Sequence, residues 1–321
     1  MQPCWLALFL MFAVSVLRGQ DFGLEPGGDS KHQSRPSLHL ESSSAKPGAI
    51  VWAGVHFKIP DKWHIYWVNP AGAGLPPKVE WKLPPGIKAG EIHWPAPESF
   101  ESFGEMSYGY HHEVRLMVPL TLTKDLQSGK FELKAELDWS ECDEENCVRG
   151  LETITAQLTV GGEPAREPSD PEFAKWRRRL PDYKGLSVVK AWWAGPSAAN
   201  HWRPLGFRVP VTDVKAKVIF YPYADPQDKY GVKAEAEAKS GNGHVDILQQ
   251  VESIKRKWPE TVRGVIQVEF PGGGQKIYQT TLKIGSPPED APQLPSVPPM
   301  STTALLLMLG GAFLGGIILN I

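Results

Sequence analysis

Cys142 and Cys147 stand in the segment Trp139-Ser-Glu-Cys-Asp-Glu-Glu-Asn-Cys-Val-Arg-Gly150, with four polar residues between them. Three chemistries are open to such a pair: a redox-active dithiol, a passive surface disulfide, or half of a zinc site. No second Cys or His pair stands at ligand spacing, so no metal site is read here. A passive bond would close so short a ring that the chain-entropy model credits it with about 2 kcal/mol, less where a hairpin already joins the ends. A core-spanning disulfide of a β-sandwich links residues far apart in sequence, which this spacing cannot do. The redox reading is favoured, with a surface disulfide as its alternative.

The surroundings of the pair shape its reactivity. Glu141, Asp143, Glu144 and Glu145 crowd the cysteines, and negative charge disfavours a thiolate; Arg149 alone opposes it. Exchange needs one thiolate to attack and another sulfur to leave, so the pair is suited to relaying electrons to a partner with a matched reactive cysteine. From these charges, Cys142 is the cysteine expected to form the mixed disulfide. The dithiol carries the electrons itself, and no cofactor is implied.

The pair must be held by its flanking strands. Phe131, Leu133, Ala135, Leu137 and Trp139 alternate with Glu132, Lys134, Glu136 and Asp138, and Ile154, Ala156, Leu158 and Val160 alternate likewise, so the cysteines are expected on the loop of a β-hairpin. Further strands are read at Ile50 to Ile59 and Val114 to Leu122, with aromatic runs at Trp63 to Trp67 and Trp94 to Tyr110. Trp63, Trp67, Trp81, Trp94 and Trp139 read as core or edge anchors. His111 and His112, adjacent on one strand, would face opposite ways and share no metal.

Composition sets the class. The 321 residues are 41% hydrophobic and 22% charged with a net charge of -2, which gives no electrostatic case for nucleic acid. Residues 1–19 read as a signal peptide that removes Cys4, and 20–35 as a flexible leader. After Gly162 the segment 164–184 reads as a connector with a capping box at Ser169 to Glu172, a short helix from Phe173 to Leu180 and a solvated Arg177-Arg-Arg179 face. Residues 185–285 form a second β domain with strands at Leu186 to Trp193, Leu205 to Val211, Ala216 to Tyr221, Val262 to Phe270 and Lys276 to Ile284, the last two joined by a turn at Gly272 to Gly274. Residues 286–300 read as a proline-rich spacer and 301–321 as a transmembrane helix with a small-residue face at Gly311 and Gly315.

The combination of Trp63-His-Ile-Tyr-Trp-Val-Asn-Pro70, Gly74-Leu-Pro-Pro77, Trp94-Pro-Ala-Pro97, Phe103-Gly through Tyr110 and the Trp139 to Gly150 loop resembles the N-terminal periplasmic region of DsbD/ScsB-type thiol:disulfide interchange proteins. The resemblance covers most of residues 35 to 162. It implies an immunoglobulin-like β-sandwich over 36–163 whose cysteines receive electrons from a thioredoxin-like domain and pass them to periplasmic disulfide partners. It also implies an aromatic cap over the cysteines, drawn from Glu98 to Tyr110: Phe103 first, then Tyr108 and Tyr110. The last helix resembles the opening helix of that family's membrane domain, although the family's following Met-Pro-Cys segment is absent.

The expectation is therefore an all-β chain: an immunoglobulin-like sandwich, a second sandwich-like domain and a C-terminal membrane helix. Its function would be periplasmic thiol:disulfide exchange through Cys142 and Cys147, set among Trp139, Glu141, Asp143, Glu144 and Arg149. Its partners would be thioredoxin-like proteins, a DsbD-type membrane domain and the inner membrane. A non-catalytic tryptophan-rich module that stacks sugar rings, with a structural disulfide, is the alternative.

Overall fold

The computed structural model describes residues 32–292, apart from 73, 162–169, 171, 185, 187–188, 198–200, 214, 226, 228 and 256. The expected signal peptide, most of the leader and the C-terminal membrane helix lie outside the described residues. Among the described residues no helix is long and apolar enough to cross a membrane.

The first domain is a two-sheet sandwich. One sheet runs β1 (Arg35–Leu40), β3 (Ile50–Lys58), β9 (Glu113–Leu122) and β6 (Ile87–Ala89) in spatial order. The other runs β2 (Ser44–Ala45), β11 (Cys147–Val160), β10 (Gly129–Cys142), β4 (His64–Tyr66), β8 (Glu105–Tyr110) and β7 (Glu98–Ser102), with β5 (Lys78–Lys82) also paired to β10. Alternation fills the space between them: Val51, Ala53, Val55 and Phe57 from β3 share one core with Leu133, Ala135, Leu137 and Trp139 from β10. Trp67 and Trp139 are buried as anchors, with Trp63, Trp81 and Trp94 packed against the same core.

The chain enters this fold earlier than its polar composition indicates. β1 begins at Arg35 and pairs along β3, and Ser34 is fully buried. The segment expected to be a mobile leader up to residue 35 thus ends as a packed strap, because two of its backbone N–H groups find a buried acceptor in the cysteine strand.

The helix α1 (Glu172–Arg177) is no solvated connector. Asp170 accepts from Glu172 N at 2.9 Å as an N-terminal cap and binds buried Arg115 at 2.6 Å, while Phe173 and Trp176 are buried against the first sheet. The arginine face is engaged too: Arg177 pairs with Glu41 at 2.9 Å and Arg179 lies over Trp176 at 4.4 Å.

The second domain is a single seven-stranded sheet rather than two separately paired ones. Its order is β14 (Lys217–Pro222), β17 (Thr261–Glu269), β18 (Gln275–Gly285), β12 (Lys190–Trp193), β13 (Trp202–Pro210), β16 (His244–Ser253) and β15 (Tyr230–Gly241). The sheet folds over so that Leu205, Phe207 and Val209 of β13 share a core with Val218 and Phe220 of β14 and Ile266 of β17. The glycine-rich turn joins β17 to β18 as its composition predicts, with Gly273 and Gly274 at positive φ. The start of the spacer is fastened, since Asp290 accepts from Arg208 at 2.7 Å. Between the domains the indole of Trp67 stacks on Tyr223 at 5.1 Å, and Asn69 donates to the Pro222 carbonyl at 2.8 Å.

Candidate redox site

Cys142 and Cys147 form a disulfide, and they do so as the last cross-strand pair of the β10–β11 ladder rather than within its loop. The ladder runs unbroken from Gly129↔Val160 to Cys142↔Cys147, which holds the two Cα atoms 4.1 Å apart. The turn is only Asp143 to Asn146. Asp143 Oδ1 accepts from the N–H groups of Glu145 at 2.9 Å and Asn146 at 2.6 Å, and these donors hold its carboxyl below the usual range.

The two faces of β10 are closed differently at this end, and that separates the roles of neighbouring residues. On the core face, Trp139 is buried against Phe57, with ring centroids 5.3 Å apart. Glu141 follows it, fully buried. Its carboxylate accepts from Ser34 N at 2.9 Å, from Trp139 Nε1 at 3.2 Å and from Gln33 N. The His32 ring meets Trp139 edge-on at 4.9 Å. The expectation that Glu141 presses its charge on the thiols is corrected: alternation turns it to the other face, where N–H donors hold it. Arg149 is also withdrawn, bidentate on Asp138 at 2.8 and 2.7 Å across the hairpin. Glu144 stays exposed in the turn.

On the cysteine face, β4 lies beside β10 with His64 opposite Cys142. Tyr66, two residues on, shares that face, and its hydroxyl donates to Cys142 Sγ at 3.1 Å. Burial raises the Tyr66 hydroxyl above its ordinary value, so it is a neutral donor at physiological pH. His64 Nε2 stands 3.2 Å from that phenol oxygen and 3.4 Å from Ser102 Oγ. Its ring packs against Phe100 at 4.5 Å and His111 at 5.6 Å. Burial first, then the charge of His111, brings the His64 imidazole down to about 4, so it too is neutral.

The two cysteines are unequal in exposure. Cys142 is fully buried, whereas Cys147 is exposed. Motif reading singled out neither His64 nor Tyr66 as a site residue; their two-residue spacing on one strand was the available signal.

The expected cap residues separate into two groups. Phe103 and Gly104, both at positive φ, form the two-residue turn joining β7 to β8, and Phe103 is 52% exposed. Ser102, just before that turn, touches His64, as Phe100 of the same strand does. Tyr108 and Tyr110 alternate to the opposite face from Gly109, which pairs with Tyr66. Tyr108 donates to the Ala234 carbonyl at 3.2 Å and packs on Tyr221 at 5.1 Å, so it belongs to the contact between the two β domains. Tyr110 donates to the Pro95 carbonyl at 2.7 Å inside the core.

Residues 39–159 match the family model described as thiol:disulfide interchange protein DsbD, N-terminal. The resemblance read from the sequence to the N-terminal region of DsbD/ScsB-type proteins is thus shown over this segment. Both cysteines, Tyr66, His64 and the β7–β8 turn fall inside it. Among solved structures, the N-terminal periplasmic domain of ScsB from Proteus mirabilis superposes with a TM-score of 0.54 at 17% identity, covering 81% of this chain and 97% of that one. That is a likeness of fold, over a share of the chain that neither β domain could fill alone. The seventh ScaB type I cohesin from Pseudobacteroides cellulosolvens superposes only to a TM-score of 0.20, at 14% identity over 42% of this chain and 97% of its own. No curated protein matches the chain.

Proposed function

We propose that the DsbD N-terminal-like domain of this chain is a periplasmic thiol:disulfide exchange module that relays two electrons through Cys142 and Cys147. The observation that carries the reading is the asymmetry of the disulfide: one exposed cysteine to receive a nucleophile, and one buried cysteine whose sulfur lies within hydrogen-bond distance of a phenol.

The chemistry follows from that asymmetry. A thiolate of a thioredoxin-like partner attacks Cys147 Sγ, the intramolecular S–S bond breaks, and Cys142 leaves with the electron pair. The Tyr66 hydroxyl supports the departing thiolate, since a hydrogen bond to the charged form favours it. The partner's second thiol then attacks the partner's own sulfur in the mixed disulfide and releases Cys147 reduced. The module has gained two electrons and two protons, and the partner has become a disulfide. Reversal of these steps against a substrate disulfide delivers the electrons. The exposure of Cys147 moves the mixed disulfide from Cys142, where local charge placed it, to Cys147.

The shielding role expected of Phe103 belongs to this reading: its ring stands exposed on the turn beside Ser102, which touches His64. The sugar-stacking alternative loses support, because Trp67, Trp139, Trp176 and Trp192 are spent in the interior. The membrane anchor at 301–321 and the DsbD-type membrane partner belong to this reading as well.

Titration of the Cys142–Cys147 bond in dithiol redox buffers, read by thiol alkylation, tests it. A midpoint above about -300 mV, in the range of exchange proteins, is the expected result; a bond that resists reduction below that value is structural and overturns the reading.

A further inference from the structure

The contacts around Cys142 admit a hydrogen-bond chain that runs from His64 through Tyr66 to the sulfur. The Tyr66 hydroxyl stands 3.1 Å from Cys142 Sγ, where it can donate its one proton. His64 Nε2, 3.2 Å from the same oxygen, completes the chain as a donor in the neutral tautomer that carries its proton on Nε2. Ser102 Oγ lies at the same nitrogen at 3.4 Å, as a second and longer partner.

The ring has little freedom to leave this position. Phe100 stands against one side at 4.5 Å and His111 at 5.6 Å, and the residue is 5% exposed. Phe100 and Ser102 both come from β7, the strand that leads into the Phe103–Gly104 turn. One imidazole therefore joins the hairpin to the buried sulfur, through the phenol. An N–H donated to a phenol oxygen polarises the phenol and strengthens the bond the phenol donates onward.

We propose that His64 is the positioning residue that holds the Tyr66 hydroxyl on Cys142 Sγ, and that it ties the leaving tendency of that sulfur to the seating of the β7–β8 hairpin. With the hairpin seated, the phenol is oriented and polarised, and Cys142 departs readily when Cys147 is attacked. With the hairpin displaced, the ring loses Phe100 and Ser102, and the phenol loses its orientation. The biological meaning of this control rests on the exchange function proposed above; the chemistry of the bond does not.

The test is the rate at which dithiothreitol reduces the disulfide in the full chain at neutral pH. The reagent's thiolate attacks Cys147, Cys142 leaves, and the second thiol closes the reagent's ring and frees Cys147, so the rate reports leaving-group support even in a purely structural disulfide. His64→Phe keeps a ring against Phe100 but removes the donor, and should slow reduction about 3- to 10-fold, the worth of one hydrogen bond. Tyr66→Phe should slow it at least as much, and the double variant no further than Tyr66→Phe alone. His64→Gln, which keeps an N–H near the phenol, should stay within about twofold of wild type. Nitrogen chemical shifts of the wild-type His64 ring supply a readout that needs no variant, and should show the proton on Nε2. Wild-type rates in His64→Phe, multiplying effects in the double variant, or a proton on Nδ1 would each overturn the proposal. A reduction midpoint below about -300 mV would instead remove the relay reading and leave the His64 result standing.

Discussion

The indole of Trp139 lies across Gly150, its partner in the β10–β11 ladder: a Cβ built on Gly150 would stand 2.1 Å from the ring. The glycine is there for space rather than for backbone freedom. Trp139 in turn is the wall against which Phe57 and His32 pack, so the last turns of the cysteine strands depend on this one missing side chain.

Gly150→Ala should therefore act as an overpacking change in a buried site. The expected loss is about 1–3 kcal/mol of folding stability, read as a lower midpoint in urea with an unchanged slope. A neutral effect would mean that the indole can move aside.

The exposure of Cys147 and the burial of Cys142 make opposite trapping results for the single cysteine variants. Cys142→Ser leaves the accessible thiol without its resolving partner, and should accumulate a mixed disulfide with a thioredoxin-like protein on a non-reducing gel. Trapping by Cys147→Ser alone would return the assignment to Cys142.

Phe103 is too exposed to be a core anchor, so its truncation separates shielding from stability. Phe103→Ala should leave the melting temperature within about 2 °C, because surface truncations stay within about 0.5 kcal/mol. Alkylation of the reduced pair should become severalfold faster. An unchanged alkylation rate would remove Phe103 from the shield.

The buried imidazoles give the stability a pH dependence whose sign follows from proton binding. His64 titrates at about 4 in the folded protein against 6.5 ordinarily, so between these values the unfolded chain binds a proton that the folded one does not. Stability should thus fall as pH drops from about 6.5 towards 4, with His39 and His56, also lowered by burial and by Arg115, adding in the same direction. His64→Gln should flatten this fall by about 1–3 kcal/mol, measured by urea unfolding at pH 7 and pH 4.5. Identical slopes in wild type and variant would mean that His64 does not contribute.

The sequence by itself determined the local features. Alternation from Phe131 to Trp139 and from Ile154 to Val160 specified the hairpin, cysteine spacing specified a short-ring pair, and the Gly272 to Gly274 segment specified a turn, since each rests on residues within a few positions of one another. Tertiary structure alone decided what meets the sulfur and what backs it. Tyr66 is 76 positions from Cys142, and Ser34 is 107 positions from Glu141. The same reason explains the unread hairpin of β15 and β16. The outer strand β15 does alternate Val232, Ala234, Ala236 and Ala238 with Lys233, Glu235, Glu237 and Lys239, but its apolar positions are mostly alanine, a poor strand former, and most of it is exposed, so its backbone pairing with β16 is what makes it a strand. A strand's pattern records which face is buried, but not which distant chain buries it. At Glu141 and Cys142 both faces are closed by segments remote in sequence, and that closure, which no local pattern records, leaves one cysteine buried and the other exposed.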